Sequence, residues 1–145
     1  MEAPDDLARV QREYHAAVEA FISGDTEPQQ RLWSRADDAT LANPLGPSAR
    51  GWDAVLRSME AAAAAVHDGK IVSFEPISSI VTADLAYTVE NQHATVILGD
   101  ATDPTSVSLR VTTIFRREAD GWKIVHRHAD PITGPRPVES IAGPR

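Results

Sequence analysis

The chain has 145 residues, 42% of them apolar and 24% charged, a mix that suits one soluble globular domain with one core. Its formal net charge of −7 argues against nucleic acid or an anionic membrane as a partner. It has no cysteine, which excludes disulfides, thiolate nucleophiles and zinc–thiolate sites.

The first residues, Met1 to Asp6, are acidic and lack the basic start and apolar core of a secretion signal. No later apolar run approaches the ~20 residues of a bilayer span, so a cytoplasmic protein is expected. From Asp5 to Ser23, Leu7, Val10, Tyr14, Val18, Phe21 and Ile22 fall at helical steps and make one apolar stripe. Asp5 or Asp6 can cap that helix, and Gly24 can end it in a left-handed conformation. Thr26 and Gln29 have capping-box spacing, with Pro28 in the first turn, so a second short helix follows and buries Leu32 and Trp33. Ala39 to Leu41 is a short strand, and Pro44, Gly46 and Pro47 then force a loop. Gly51 to Val66 is a third helix with Trp52, Val55, Leu56 and Met59 on its apolar side, ended by Asp68-Gly69.

Beyond Gly69 the period changes to two. Lys70–Val81, Leu85–Leu98, Ser106–Glu118 and Trp122–Asp130 are rich in Val, Ile, Thr and aromatic residues and predict four strands. The breaks between them are short enough for antiparallel hairpins. Pro76 predicts an edge position or a bulge in the first of them. Residues 1–132 are expected to form the domain, and the Pro-rich tail 133–145 to be extended and weakly ordered. Helices followed by antiparallel strands form an α+β pattern. The expected architecture is a cone, with three N-terminal helices packed on a strongly curved antiparallel sheet.

Four segments carry a family resemblance: the Gly24-Asp25 helix ending, the turn Ala36-Asp37-Asp38-Ala39-Thr40, the loop Pro44-Leu45-Gly46, and the strand from Gly121 to His126. In their order and spacing the chain resembles the NTF2-like superfamily, in its SnoaL-like and ketosteroid-isomerase-like branch, over residues 5 to 132. The resemblance implies a small-molecule pocket, and a homodimer through the open sheet face. It implies no single activity, because this fold hosts isomerases, cyclases, hydrolases, dehydratases and binding modules. The isomerase positions can be compared one by one. The aspartate base is replaced by Asn43, which takes no proton at neutral pH. The second carboxylic acid is replaced by Thr113. The oxyanion tyrosine position is Ala17, with Tyr14 one turn earlier. The carboxylate chemistry of ketosteroid isomerase is therefore not available in that form.

Strand alternation assigns the pocket-facing residues. Leu109, Val111, Thr113 and Phe115 form the more apolar face of the third long strand. The family register puts Tyr87, Asn91 and His93 inward on the second, and Trp122, Ile124, His126, His128 and Asp130 inward on the last. Tyr14, Asn43, Tyr87, Asn91, His93, Thr113 and His126 are thus the substrate-binding candidates. His128, oriented by Asp130, is the candidate acid–base pair, since only histidine titrates near neutrality unaided. The plainer alternative is that these histidines are half-buried strand residues bonded to backbone and that Asp130 serves the turn before Pro131. Zinc on His93, His126 and His128 lacks supporting ligand spacing, so no metal and no cofactor are expected. Arg110, Arg116 and Arg127 would lie on the opposite sheet face. The expected function is binding of a small, largely apolar organic molecule, with histidine-based isomerase, cyclase or dehydratase chemistry. The rival is a non-catalytic ligand-binding or dimerisation module.

Overall fold

The computed structural model describes residues 3–143. Helices α1 (Ala3–Phe21) and α2 (Glu27–Leu32) come first. Strands β1 (Thr40–Ala42) and β2 (Ala49–Arg50) follow, then helix α3 (Trp52–Ala64). The chain continues through β3 (Val66–Val81), β4 (Leu85–Leu98), β5 (Thr105–Glu118) and β6 (Gly121–Asp130), and ends in an exposed 3-10 turn at Val138–Ile141. No helix of the described residues is long and apolar enough to cross a membrane.

The apolar stripe of α1 does what its spacing predicts. Leu7, Val10, Tyr14 and Val18 are buried, and they share a core with Trp33, Val55, Met59, Phe115, Trp122 and Ile124. The helix begins earlier than expected, at Ala3, so Asp5 and Asp6 lie within it and not before it. Gly24 does leave the helix in the left-handed region, at φ +98°. Thr26 makes no capping bond through its side chain; its hydroxyl instead accepts from Gln30 Nε2 at 2.8 Å.

The expected cone is corrected in three respects. The six-stranded sheet runs β2-β1-β6-β5-β4-β3 and is open, neither strongly curved nor closed, with β2 and β3 at its edges. It is mixed, because β1 pairs parallel with β6. Only α1 and α2 are N-terminal to the strands; α3 enters after β2, a two-residue strand in what looked like pure loop. Asp68-Gly69 also has a different role from the expected helix stop. Helix α3 ends at Ala64, and Asp68 (φ +51°) and Gly69 form a bulge inside β3. Further bulges follow Ile71 and Pro76, so Pro76 lies both on an edge strand and at an irregularity.

A fourth bulge decides the site. In the β5–β6 ladder Ile114 pairs with His126, but Phe115 pairs with Ile124, leaving Val125 without an opposite. One extra residue reverses which side chains of a strand face inward. Trp122 and Ile124 are inward before the bulge, and Arg127 and Ala129 are inward after it.

Candidate functional site: a hollow between helices and sheet

A cavity of about 300 Å³ lies between the inner sheet face and the helices. Phe21 of α1, Met59 of α3, Val96 and Leu98 of β4, and Val107 and Leu109 of β5 give it apolar walls. Its polar side chains are Gln29, Asn43, Gln92 and Arg127. Apolar walls with a few convergent polar groups are the usual composition of a small-molecule site.

Behind one wall lies a buried polar network. The α1 stripe turns Tyr14 toward the sheet, where it is 1% exposed and packs edge-on to Phe115 with ring centroids 6.1 Å apart. Its hydroxyl accepts from Arg127 Nε at 2.8 Å and from Thr113 Oγ1 at 3.1 Å. Arg127 Nη2 donates to Gln92 Oε1 at 3.0 Å, and Gln92 Nε2 donates to Glu90 Oε2 at 2.8 Å. Glu90, only 6% exposed, is met by His15 Nε2 at 3.0 and 3.1 Å, and the His15 ring stacks on Phe74 at 3.7 Å. The side chains of Tyr14, Thr113, Gln92 and Glu90 thereby all find partners, as low-dielectric surroundings require.

Of the expected binding residues, the structure brings Tyr14 and Thr113 together at this network and Asn43 to the cavity. Asn43 is committed locally: its Nδ2 donates to Ser58 Oγ at 2.9 Å, and its Oδ1 accepts from the Leu45 N–H at 2.9 Å. The remaining candidates are corrected. On β4 the inward set is Ala86, Glu90, Gln92, Ala94 and Val96, so Tyr87, Asn91 and His93 face outward. The β4–β5 register pairs Gln92 with Leu109 and His93 with Ser108, which fixes that parity. His126, His128 and Asp130 are turned outward by the Val125 bulge, and Arg127, expected outside, takes their place.

The expected His128–Asp130 pair does form, on the open face. His128 Nε2 lies 3.2 Å from Asp130 Oδ2, and the histidine side chain is 52% exposed. Asp130 Oδ1 also accepts from Arg110 Nε at 2.7 Å and from the Ile132 N–H at 3.0 Å, which makes Asp130 the anchor of the strand end. Burial pushes the Asp130 carboxyl up, but the bonds from Arg110 and Ile132 outweigh it and hold it below the usual carboxylate range. His126 Nδ1 lies 2.7 Å from Thr40 Oγ1, and burial, with His128 nearby, lowers its pKa. His93 bonds Ser108 Oγ at 2.7 Å and Glu75 Oε1 at 3.0 Å. These histidines are partnered, but by side chains and not by the backbone that the plainer alternative expected.

Arg127, Gln92 and Glu90 are the residues that strand alternation missed, and Gln29 of α2 lay outside its reach. A hint lay in the parity of the β4–β5 hairpin. With Leu109 to Phe115 inward, a pairing of Val96 with Thr105 forces the even-numbered side chains of β4 inward.

The SnoaL-like domain family matches residues 10–132 of the chain. Among solved structures, a proposed dehydratase of the NTF2-like family from Streptomyces avermitilis is 24% identical, with a TM-score of 0.75 over 91% of this chain and 99% of that one. A ketosteroid isomerase-like protein from Erwinia carotovora atroseptica is 20% identical, with a TM-score of 0.72 over 89% and 98% of the two chains. An NTF2-like superfamily protein from Salmonella enterica is 18% identical, with a TM-score of 0.70 over 94% and 99%. At these identities the likeness is one of fold. No curated protein matches the sequence.

Proposed function

The chain belongs to the SnoaL-like family of the NTF2-like superfamily, and from that premise we propose that it binds a small, largely apolar organic molecule in the hollow between its helices and sheet, without the proton transfer of an isomerase. The observation that carries this is the lining itself: apolar walls, three amides and one guanidinium, and among the described residues no carboxylate or imidazole. A general base must come within hydrogen-bond reach of the proton it takes. The isomerase positions here are Asn43 and Thr113, and the His128–Asp130 pair stands on the other face of the sheet. Together these favour a binding module over histidine-based catalysis.

The test is a thermal-shift series with neutral aromatic and terpenoid alcohols on the wild type and on Ala94→Trp, which places an indole on the cavity wall. Wild-type protein is expected to gain several degrees at saturating ligand by mass action, and the variant to gain nothing. No stabilisation by any compound, or equal stabilisation of the variant, overturns the proposal.

The outer sheet face is proposed to receive a second copy of the chain. It carries Ile80, 53% exposed, which pairs with Tyr87 of β4, and Tyr87 in turn pairs with Ile114 of β5. Sedimentation should show a dimer for the wild type and a monomer for Tyr87→Glu, which buries a charge in that contact. A monomeric wild type at micromolar concentration would count against it.

A further inference from the structure

Arg127 stands in the apolar cavity with an incomplete set of partners. Its Nε and Nη2 donate to Tyr14 and Gln92. Both acceptors are neutral, and among the described residues no carboxylate lies within ion-pair distance of the guanidinium. Glu90 is the nearest acidic member of the network, but the Gln92 amide intervenes, and the carboxylate is already engaged by Gln92 and His15. Nη1 has no acceptor among the described residues, so one edge of the fork is open. Arg127 is half-buried, and withdrawing even part of a guanidinium from water without a counter-charge is costly, in a chain whose overall charge of −7 supplies acids in plenty. The other polar groups of the lining offer little competition. The amides of Asn43 and Gln92 are occupied, which leaves Gln29, 4% exposed, as the other polar side chain facing the cavity.

We infer that the ligand of this cavity is a monoanionic amphiphile, an apolar body with one carboxylate, and that Arg127 is the anchor for its head. This rests on the small-molecule reading above and narrows it. A carboxylate matches the planar fork of a guanidinium, and a charge-assisted pair in apolar surroundings is stronger than a neutral hydrogen bond. One cation balances one negative charge; a dianionic phosphate would leave its second charge unpaired among Val, Leu and Met side chains. Tyr14 and Gln92 fix the Nε side of the fork, so the open edge is held in one orientation before the ligand arrives.

The experiment compares matched probes that differ only in the head: octanoate against 1-octanol and octylammonium, and 4-phenylbutanoate against 4-phenylbutan-1-ol. Binding is measured calorimetrically on the wild type, Arg127→Met and Arg127→Lys. In the wild type the acids should bind about 10-fold or more tighter than the alcohols, and octylammonium should be the weakest. Arg127→Met should abolish the preference for acids over alcohols, and Arg127→Lys should keep part of it. Equal binding of acids and alcohols by the wild type overturns the anionic assignment and leaves the apolar-ligand reading standing. Binding of neither class overturns both. Should Arg127→Met fail to fold, the wild-type ranking of acid, alcohol and ammonium decides the matter alone.

Discussion

Gly69→Val is expected to destabilise the protein by about 3 kcal/mol or more, at the upper end of what overpacking costs. The residue is buried, and its N–H donates to the Ile22 carbonyl at 3.1 Å. This joins the end of α1 to the first bulge of β3. A Cβ added here would sit 2.6 Å from the Ile22 carbonyl oxygen and would also overlap the Ile22 side chain. A flexible side-chain tip could move aside, but a backbone oxygen cannot without pulling α1 off the strand. Urea unfolding of the variant measures the loss. Gly69→Ala combined with Ile22→Ala removes only the contact with Ile22 Cγ1 and should recover only part of the stability, because the Ile22 Cβ and carbonyl oxygen, both 2.6 Å from the added Cβ, remain. A Gly69→Val protein with an unchanged midpoint would mean that α1 does not approach β3 as described. Because Ile22 also lines the cavity, the same substitution should weaken ligand binding.

Tyr14→Phe is expected to cost about 2–4 kcal/mol, the penalty for leaving one buried and one half-buried donor without their acceptor. The ring stays the same size, so its edge-on contact with Phe115 is kept and only the hydroxyl is tested. What is lost is the acceptor for Thr113, 0% exposed, and for the Arg127 Nε. The network makes a sharper demand than a simple loss of stability. Once Arg127 is gone, the Tyr14 hydroxyl serves one donor fewer, so Tyr14→Phe should cost less in an Arg127→Met background than in the wild type. Strict additivity of the two substitutions in chemical unfolding would show that the groups are not coupled. A second readout follows from the site. With its Nε side released, the Arg127 fork is no longer held in one orientation, and binding of carboxylate probes should fall more than binding of the matching alcohols.

Much of the architecture was legible from pattern alone. The bounds of β4 follow from its alternation and flanking turns, and the α1 stripe from Leu7 to Val18 buries as its spacing requires. The inward face of β5 was also legible, because one of its two alternate sets, Leu109, Val111, Thr113 and Phe115, is plainly the more apolar. The two sets of β4 do not separate in this way. Leu85, Tyr87 and Val89 look like the buried face, yet the buried face carries Ala86, Glu90 and Gln92. Glu90 can be buried because His15 reaches it from 75 positions away, and no local pattern contains that partner.

Composition and periodicity thus determined, within this chain, an α+β domain with an apolar interior, since burial of apolar stripes is a local property of helices and strands, while four short segments in their order carried the resemblance to its family. Which side chains enter the hollow was decided only in three dimensions. Parity along a strand survives only while the ladder stays regular, and the single unpaired Val125 exchanges Arg127 for the histidines on either side of it. The chemistry of the site, a cation where an acid–base pair was expected, therefore follows from one bulge that only the pairing of β5 with β6 reveals.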